Sequence, residues 1–289
     1  DIIEDQNSNL WIAVRRTGLA RFVPGDRQFH IFSTEQAGNG LYNNDVDELF
    51  LDENQNLWLG NWYGGIHLLN LRDSSSFYPR TARFNSLLNG KGNDEITGMS
   101  MISFFKDNSG DMWVGAHQGG LTRLENEKQF ARFTNESQEM TLPSDNVYAI
   151  VGGYDDGIIL GSQEGLVFFN MKNRKVEVYK SALGIPSSLN HSKILSLYKD
   201  NQGILWIGTL KGVNKYFPEK IEQYRIDNEV IANNTVISFA SDQLKNLYIG
   251  TWGNGVYQFN SKNNDILPLI NKKADQGIPD ERIWSLQAH

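Results

Sequence analysis

The chain has 289 residues, 39% of them hydrophobic and 21% charged, which supplies apolar material for one large core and excludes a disordered chain. Its formal charge of −7, from 27 basic and 34 acidic residues with no long run of one sign, excludes the electrostatic footprint of a nucleic-acid binder. The absence of cysteine excludes disulfides and thiolate metal sites, and no apolar stretch approaches the roughly 20 residues that span a bilayer.

Asp1 to Asn9 is polar, without an initiator Met or a signal-like run, and reads as the start of a soluble piece of something longer. The next element, Leu10-Trp11-Ile12-Ala13, is the first of six versions of one short apolar strand. It returns as Leu57-Trp58-Leu59-Gly60, Met112-Trp113-Val114-Gly115, Ile158-Ile159-Leu160-Gly161, Leu205-Trp206-Ile207-Gly208 and Leu247-Tyr248-Ile249-Gly250, at intervals of 47, 55, 46, 47 and 42 residues. A fixed period of this size marks a propeller or a solenoid.

Each anchor is preceded by a β-rich run that ends in an Asp-led turn: Val46 to Asp52, Met101 to Asp107, Ile194 to Asp200 and Val236 to Asp242. Each is followed by a polar tip, a glycine and a second alternating run, as in Gly65 to Leu69 and Gly255 to Phe259, which predicts a hairpin. A fourth run closes the unit, as in Phe29 to Phe32, Phe130 to Phe133 and Val176 to Tyr179. Four short antiparallel strands per repeat, with no 3.6-residue period, predict an all-β fold: a β-propeller of four-stranded antiparallel blades. The Trp and Tyr anchors are expected to pack between neighbouring blades.

The repeats fall at approximately 1–42, 43–95, 96–142, 143–189, 190–231 and 232–278 of a single propeller domain, and 279–289 begins a further copy. Residues 1–5 match only the end of the strand before an anchor, and Ile283 to His289 match all of it. That pattern predicts part of a six- or seven-bladed ring. The turns at Asp52, Asp107 and Asp200 faintly resemble calcium loops but lack the distal glutamate, and Asp, Asn and Gly are what a tight turn requires, so no metal is expected.

The tips between the second and third strands align as Arg15-Arg16-Thr17, Trp62-Tyr63-Gly64, His117-Gln118-Gly119, Gln163-Glu164, Leu210-Lys211 and Trp252-Gly253-Asn254. The scaffold repeats while these positions diverge, as expected of one frame carrying one asymmetric ligand site. Trp62, Tyr63 and Trp252 are candidate stacking faces for sugars. Arg15, Arg16, Lys211 and His117 are candidate donors to hydroxyls or to an acidic group. Gln118, Glu164 and Asn254 complete the predicted site, with His117 and Glu164 expected to face each other across its mouth. The sequence shows no zinc-type histidine pairing, no nucleophile elbow and no phosphate-cradling loop, so neither a catalytic residue nor a cofactor is expected.

The recurring inner strand, Asp-x-x-Gly-or-Asn turn, Leu-Trp-Ile-Gly-Thr and Gly-Gly-Leu or Gly-Val, carried by Asp52 to Ile66, Asp107 to Leu121, Asp200 to Val213 and Asp242 to Val256, resembles the regulator-propeller repeat of hybrid two-component sensors. Departures are Ile159 in place of Trp, Ala13 in place of Gly, and an insertion between Asp73 and Glu95. The resemblance implies the periplasmic sensor region of an inner-membrane protein, which binds an oligosaccharide and acts as a homodimer. It would control a histidine kinase and the transcription of glycan-use genes, with the membrane tether in other segments. Two readings compete with it: a propeller enzyme such as a lyase or a glycoside hydrolase, and a protein-interaction scaffold.

Overall fold

The structure is a computed structural model that describes residues 1–35, 41, 43–63, 65–80, 82–87, 100–125, 129–217, 220–224, 235–261, 264–270 and 282–287. Gly64, Glu95 and His289, and the repeat boundaries at 42, 95–96, 231–232 and 278–279, lie outside the described residues. The described strands form six four-stranded antiparallel sheets, each made of four strands consecutive in sequence: the blades of an all-β propeller.

Contacts divide the chain into two units, Asp1–Thr134 with Asp145–Val147, and Asn135–Ser144 with Tyr148–His289. The first unit holds three blades. Blade 1 is built from Ile2–Glu4, Leu10–Val14, Gly18–Val23 and Gln28–Phe32; blade 2 from Val46–Leu51, Asn56–Asn61, Gly65–Asn70 and Asn85–Leu87; blade 3 from Ser100–Lys106, Met112–His117, Gly120–Glu125 and Gln129–Phe133. Blade 4 is Val147–Gly152, Ile158–Ser162, Gly165–Asn170 and Lys175–Tyr179, all in the second unit but for Val147. Blade 5 is Ile194–Lys199, Leu205–Thr209, Gly212–Phe217 and Lys220–Tyr224, and blade 6 is Val236–Ser241, Leu247–Thr251, Val256–Asn260 and Asp265–Ile270. The insertion after Asp73 opens with a 3-10 turn, Ser74–Phe77, capped by the Asp73 carboxylate, which accepts the Ser75 N–H.

One hydrogen-bonding device recurs through the blades. The aspartate that ends the first strand turns its Oδ1 onto backbone N–H groups two and four residues on, closing the turn, and its Oδ2 onto the ring donor six residues on. Asp107 accepts Ser109 N–H (2.9 Å), Asp111 N–H (3.0 Å) and Trp113 Nε1–H (2.8 Å). Asp5 with Trp11, Asp52 with Trp58, and Asp200 with Trp206 repeat the bond to the indole, and in blade 6 Tyr248 donates its hydroxyl to Asp242 at 2.9 Å. The residue three after the aspartate is left-handed in each copy: Ser8, Gln55, Gly110, Gly203 and Lys245.

The calcium-like turns are therefore carboxylates saturated by their own backbone and indole. Blade 4 lacks both partners at once, with Gly153 at the aspartate position and Ile159 at the tryptophan position. An indole N–H buried without an acceptor, or a carboxylate without its donor, costs about 1–3 kcal/mol, so losing the pair together is the cheaper change.

Trp11, Trp58, Trp113 and Trp206 are at most 2% exposed. Trp58 meets Phe104 of blade 3 at 6.5 Å, Trp11 meets Phe77 of blade 2's insertion at 6.4 Å, and Trp206 meets Phe259 of blade 6 at 4.6 Å, so these anchors pack between blades as expected.

The glycine that follows the anchor sits where the first strand of the next blade crosses. A Cβ on Gly115 would lie 2.9 Å from Val147 Cγ1, and one on Gly208 2.7 Å from Val236 Cγ1. Gly161 meets Ile194 in the same way, and Gly250 meets Ile283, whose N–H bonds Thr251 O at 2.9 Å. Ile283 thus packs on Gly250 as Val147, Ile194 and Val236 pack on theirs, while residues 283–287 form no strand and Arg282 makes an isolated bridge with Trp252.

Candidate functional site

Within the first unit the hairpin tips adjoin. Arg16, Tyr63 and Gln118 occupy one register position in three successive blades, all left-handed with φ of 65°, 56° and 61°. This backbone costs a non-glycine residue about 1 kcal/mol or more, and the next connection helps to hold it. Asp45 Oδ1 accepts Arg16 N–H at 3.0 Å, and Asn146 Oδ1 accepts Gln118 N–H at 2.9 Å.

Trp62 is half-buried in a cluster of rings and charge. The Arg15 guanidinium lies 4.6 Å from its ring centroid, His117 stacks on it at 6.4 Å and 21°, and Tyr63 meets it edge-on at 5.4 Å. Arg15 is fixed in turn by Asp47 (Nε to Oδ1, 2.8 Å), whose hydrogen bond holds the guanidinium pKa above its ordinary value. The indole therefore does not stand free as a hairpin-tip platform. The open ring is Tyr63, 58% exposed.

Beneath this cluster lies a buried polar chain. Asn43 Nδ2 donates to Trp62 O (2.8 Å), Asn61 Nδ2 donates to Asn43 Oδ1 (2.9 Å), and Asn61 Oδ1 meets His67 Nδ1 at 2.9 Å. Because the Asn61 amide nitrogen is already donating, its oxygen is the acceptor and His67 carries its proton on Nδ1. His67 is fully buried, and burial pushes its pKa down to about 4.

In the second unit, Glu164 is exposed at its tip and faces Lys180 at 3.9 Å, while the neighbouring Gln163 accepts the Tyr148 hydroxyl at 2.8 Å. Lys211 is anchored by its backbone: its N–H donates to Thr209 Oγ1 (3.0 Å), its carbonyl accepts Asn190 Nδ2 (3.1 Å), and its side chain is exposed. Trp252 pairs with Trp284 at 4.3 Å and 84°, with the Arg282 guanidinium 5.9 Å from its centroid, and Asn254 donates its N–H to Thr251 Oγ1. Trp284 is 63% exposed.

The contact of Trp284 and Arg282 with the Trp252 tip was not legible in the sequence, because reasoning confined to hairpin tips passes over a segment beyond the last complete repeat. His117 lies in the first unit, stacked on Trp62, and Glu164 in the second, paired with Lys180.

Two clefts among the described residues lie at the other ends of the strands, by the Asp turns. A cleft of about 400 Å³ is lined by Glu53, Trp58, Lys106 and Met112, and one of about 200 Å³ by Tyr198, Trp206, Lys215 and Phe259. The tips offer open aromatic faces and cationic donors, which is chemistry for binding. Among the described residues no group of three or more His, Asp or Glu could hold a metal.

Residues 188–211 match the two-component regulator propeller family. They run from the end of the blade 4–5 connection through the Asp200 turn and Trp206 to the Lys211 tip. Histidine kinase P4 of Formosa agariphila is 23% identical over 79% of this chain, and the chain spans 16% of that relative's length.

Among solved structures, the extracellular domain of a B. thetaiotaomicron protein named as a hybrid two-component system aligns at TM-score 0.51 and 17% identity, over 93% of this chain and 46% of that one. Virginiamycin B lyase from Staphylococcus aureus aligns at TM-score 0.65 and 12% identity, over 92% and 81%. These likenesses establish the β-propeller fold. The family match itself covers one copy of the repeat, from the connection entering blade 5 to its hairpin tip.

Proposed function

We propose that this chain is the ligand-sensing part of the extracytoplasmic region of a hybrid two-component system. It binds an oligosaccharide at its hairpin tips and passes occupancy to a histidine kinase in the rest of a dimeric, membrane-anchored protein. The kinase would then control transcription of genes for glycan use. The observation that carries this reading is the contrast within one repeat. Asp, Trp and Gly positions recur with their bonds, while the tips carry Tyr63 in a costly left-handed backbone, the Trp252–Trp284 pair and fixed cations. Strained or exposed groups kept on a rigid frame mark a recognition surface. Binding would shift a conformational equilibrium and leave the ligand intact.

A thermal-shift screen against oligosaccharides tests the proposal. Ligand at 100 times its Kd stabilises the fold by about 2.7 kcal/mol, and calorimetry of Tyr63→Gly and Trp252→Ala then maps the contact. An intact ligand with weakened binding in either variant is expected. Recovery of a cleaved ligand would place the chain with the propeller lyases instead.

A further inference from the structure

The tip face of the second unit gathers cations in a protein whose net charge is −7. Lys211 stands on the blade 5 hairpin, His191 and Lys193 on the connection that enters blade 5, and Lys180 at the end of blade 4's last strand. Hydrogen bonds hold these pieces together. Asn190 Nδ2 donates to Lys211 O (3.1 Å), Lys193 N–H donates to His191 Nδ1 (2.9 Å), and Ser181 N–H donates to Ser192 Oγ (3.0 Å).

The support is rigid. Asn190 Oδ1 accepts both Thr209 Oγ1–H (2.7 Å) and Asn214 Nδ2–H (2.8 Å), and Thr209 and Asn214 are fully buried. Lys193 is steered over the Tyr148 ring, its ammonium 4.9 Å from the centroid.

Against four basic side chains the described residues set one carboxylate, Glu164, 3.9 Å from Lys180. Lys193 and Lys211 make no ion pair among the described residues. Burial, followed by the charges of Lys211 and Lys193, pushes the His191 pKa down, as expected where like charges are crowded. Flexible surface lysines relieve such repulsion by moving apart. Here the backbone bonds fix the attachment points close together, so an anion placed among them can be met by more than one side chain.

We propose that this cluster is an anion-binding subsite, and that the oligosaccharide taken by the chain is acidic, presenting sulfate esters or uronate carboxylates to Lys193 and Lys211. This rests on the oligosaccharide reading above. Ammonium groups suit it as compact point charges that do not need the planar, two-pronged geometry of an arginine contact.

The test uses the intact chain and an array on which each neutral oligosaccharide is matched by uronate-bearing and sulfated forms, with poly-glutamate as a non-sugar polyanion. The variant is Lys193→Gln/Lys211→Gln, both side chains being outside the buried network, with the melting temperature read alongside. Acidic sugars should bind in preference to their neutral partners, more weakly as salt rises, and at least tenfold more weakly in the double variant at unchanged melting temperature. The sulfated and uronate arms then say which anion is read. Neutral sugars bound equally by both proteins would overturn the acidic assignment and leave the oligosaccharide reading standing. Poly-glutamate bound with the same lysine dependence, and no sugar bound, would keep the subsite and overturn the sugar. No binding to any probe would overturn both.

Discussion

At the scale of single residues, the Asp-to-indole bond is the device whose removal the structure prices most directly, because blade 4 shows the natural double replacement. In blade 5 a double-mutant cycle of Asp200→Gly and Trp206→Ile should give a coupling energy of about 1–2 kcal/mol, read from denaturant midpoints. Additive single effects would show that the bond in Trp206 contributes nothing beyond its packing. The six-residue spacing was visible in the sequence, but the bond was not, since a tight turn alone accounts for the aspartates and packing alone for the tryptophans.

His67 makes a prediction with a defined sign. Its pKa is about 4 when folded against about 6.5 when unfolded, so the unfolded chain binds more protons and stability falls as pH drops from 6.5 towards 4. The loss is on the order of 3 kcal/mol, and His67→Gln should flatten that part of the pH–stability curve. An unchanged slope would contradict a His67 held neutral by burial. Asp52 acts in a lower window. Burial pushes its carboxyl up, but bonds from Asn56 and Trp58 and the charge of Lys106 outweigh this and hold it below the usual range. Its contribution is present above about pH 4 and is lost as pH falls through the lower folded value.

At the scale of elements, the blade is specified twice, by its hairpin tips and by the glycine under the next blade. Tyr63→Gly removes a left-handed side chain from a tip and should raise stability by up to about 1 kcal/mol while weakening ligand binding, a separation that a merely structural tyrosine would not produce. Gly208→Val should cost about 1–3 kcal/mol in chemical denaturation, because its Cβ would meet Val236 Cγ1 at 2.7 Å. Little or no loss would mean that neighbouring blades slide freely over one another.

Most strands were legible because each carries its own signal: apolar alternation, an Asp turn before, a glycine after. Only their ends moved, with Val46–Leu51 stopping one residue before the aspartate that closes its turn. The 3-10 turn Ser74–Phe77 was not legible, since its cap at Asp73 reads equally well as a loop.

At the scale of the whole molecule, repetition made the β-propeller fold plain while it hid the site. Six copies of one pattern average into a blade, but a ligand site consists of the departures from it. The sequence pointed to Arg15, Trp62 and Lys211 by position. It did not show that Arg15 and His117 occupy the indole of Trp62, or that the connection bearing His191 and Lys193 is tied to the Lys211 tip. The contacts of Arg15 and His117 with Trp62 join residues of different blades and follow from the stacking of one blade on the next, while the tie between Asn190 and Lys211 is a hydrogen bond within one repeat that the residue pattern does not announce. The measurement that tests the central claim most directly is calorimetry of an oligosaccharide hit against the native chain, Tyr63→Gly and Trp252→Ala, with the ligand recovered and analysed afterwards. The account predicts an unaltered ligand and at least tenfold weaker binding in one of the variants. A cleaved ligand, or equal affinity in all three proteins, would contradict it.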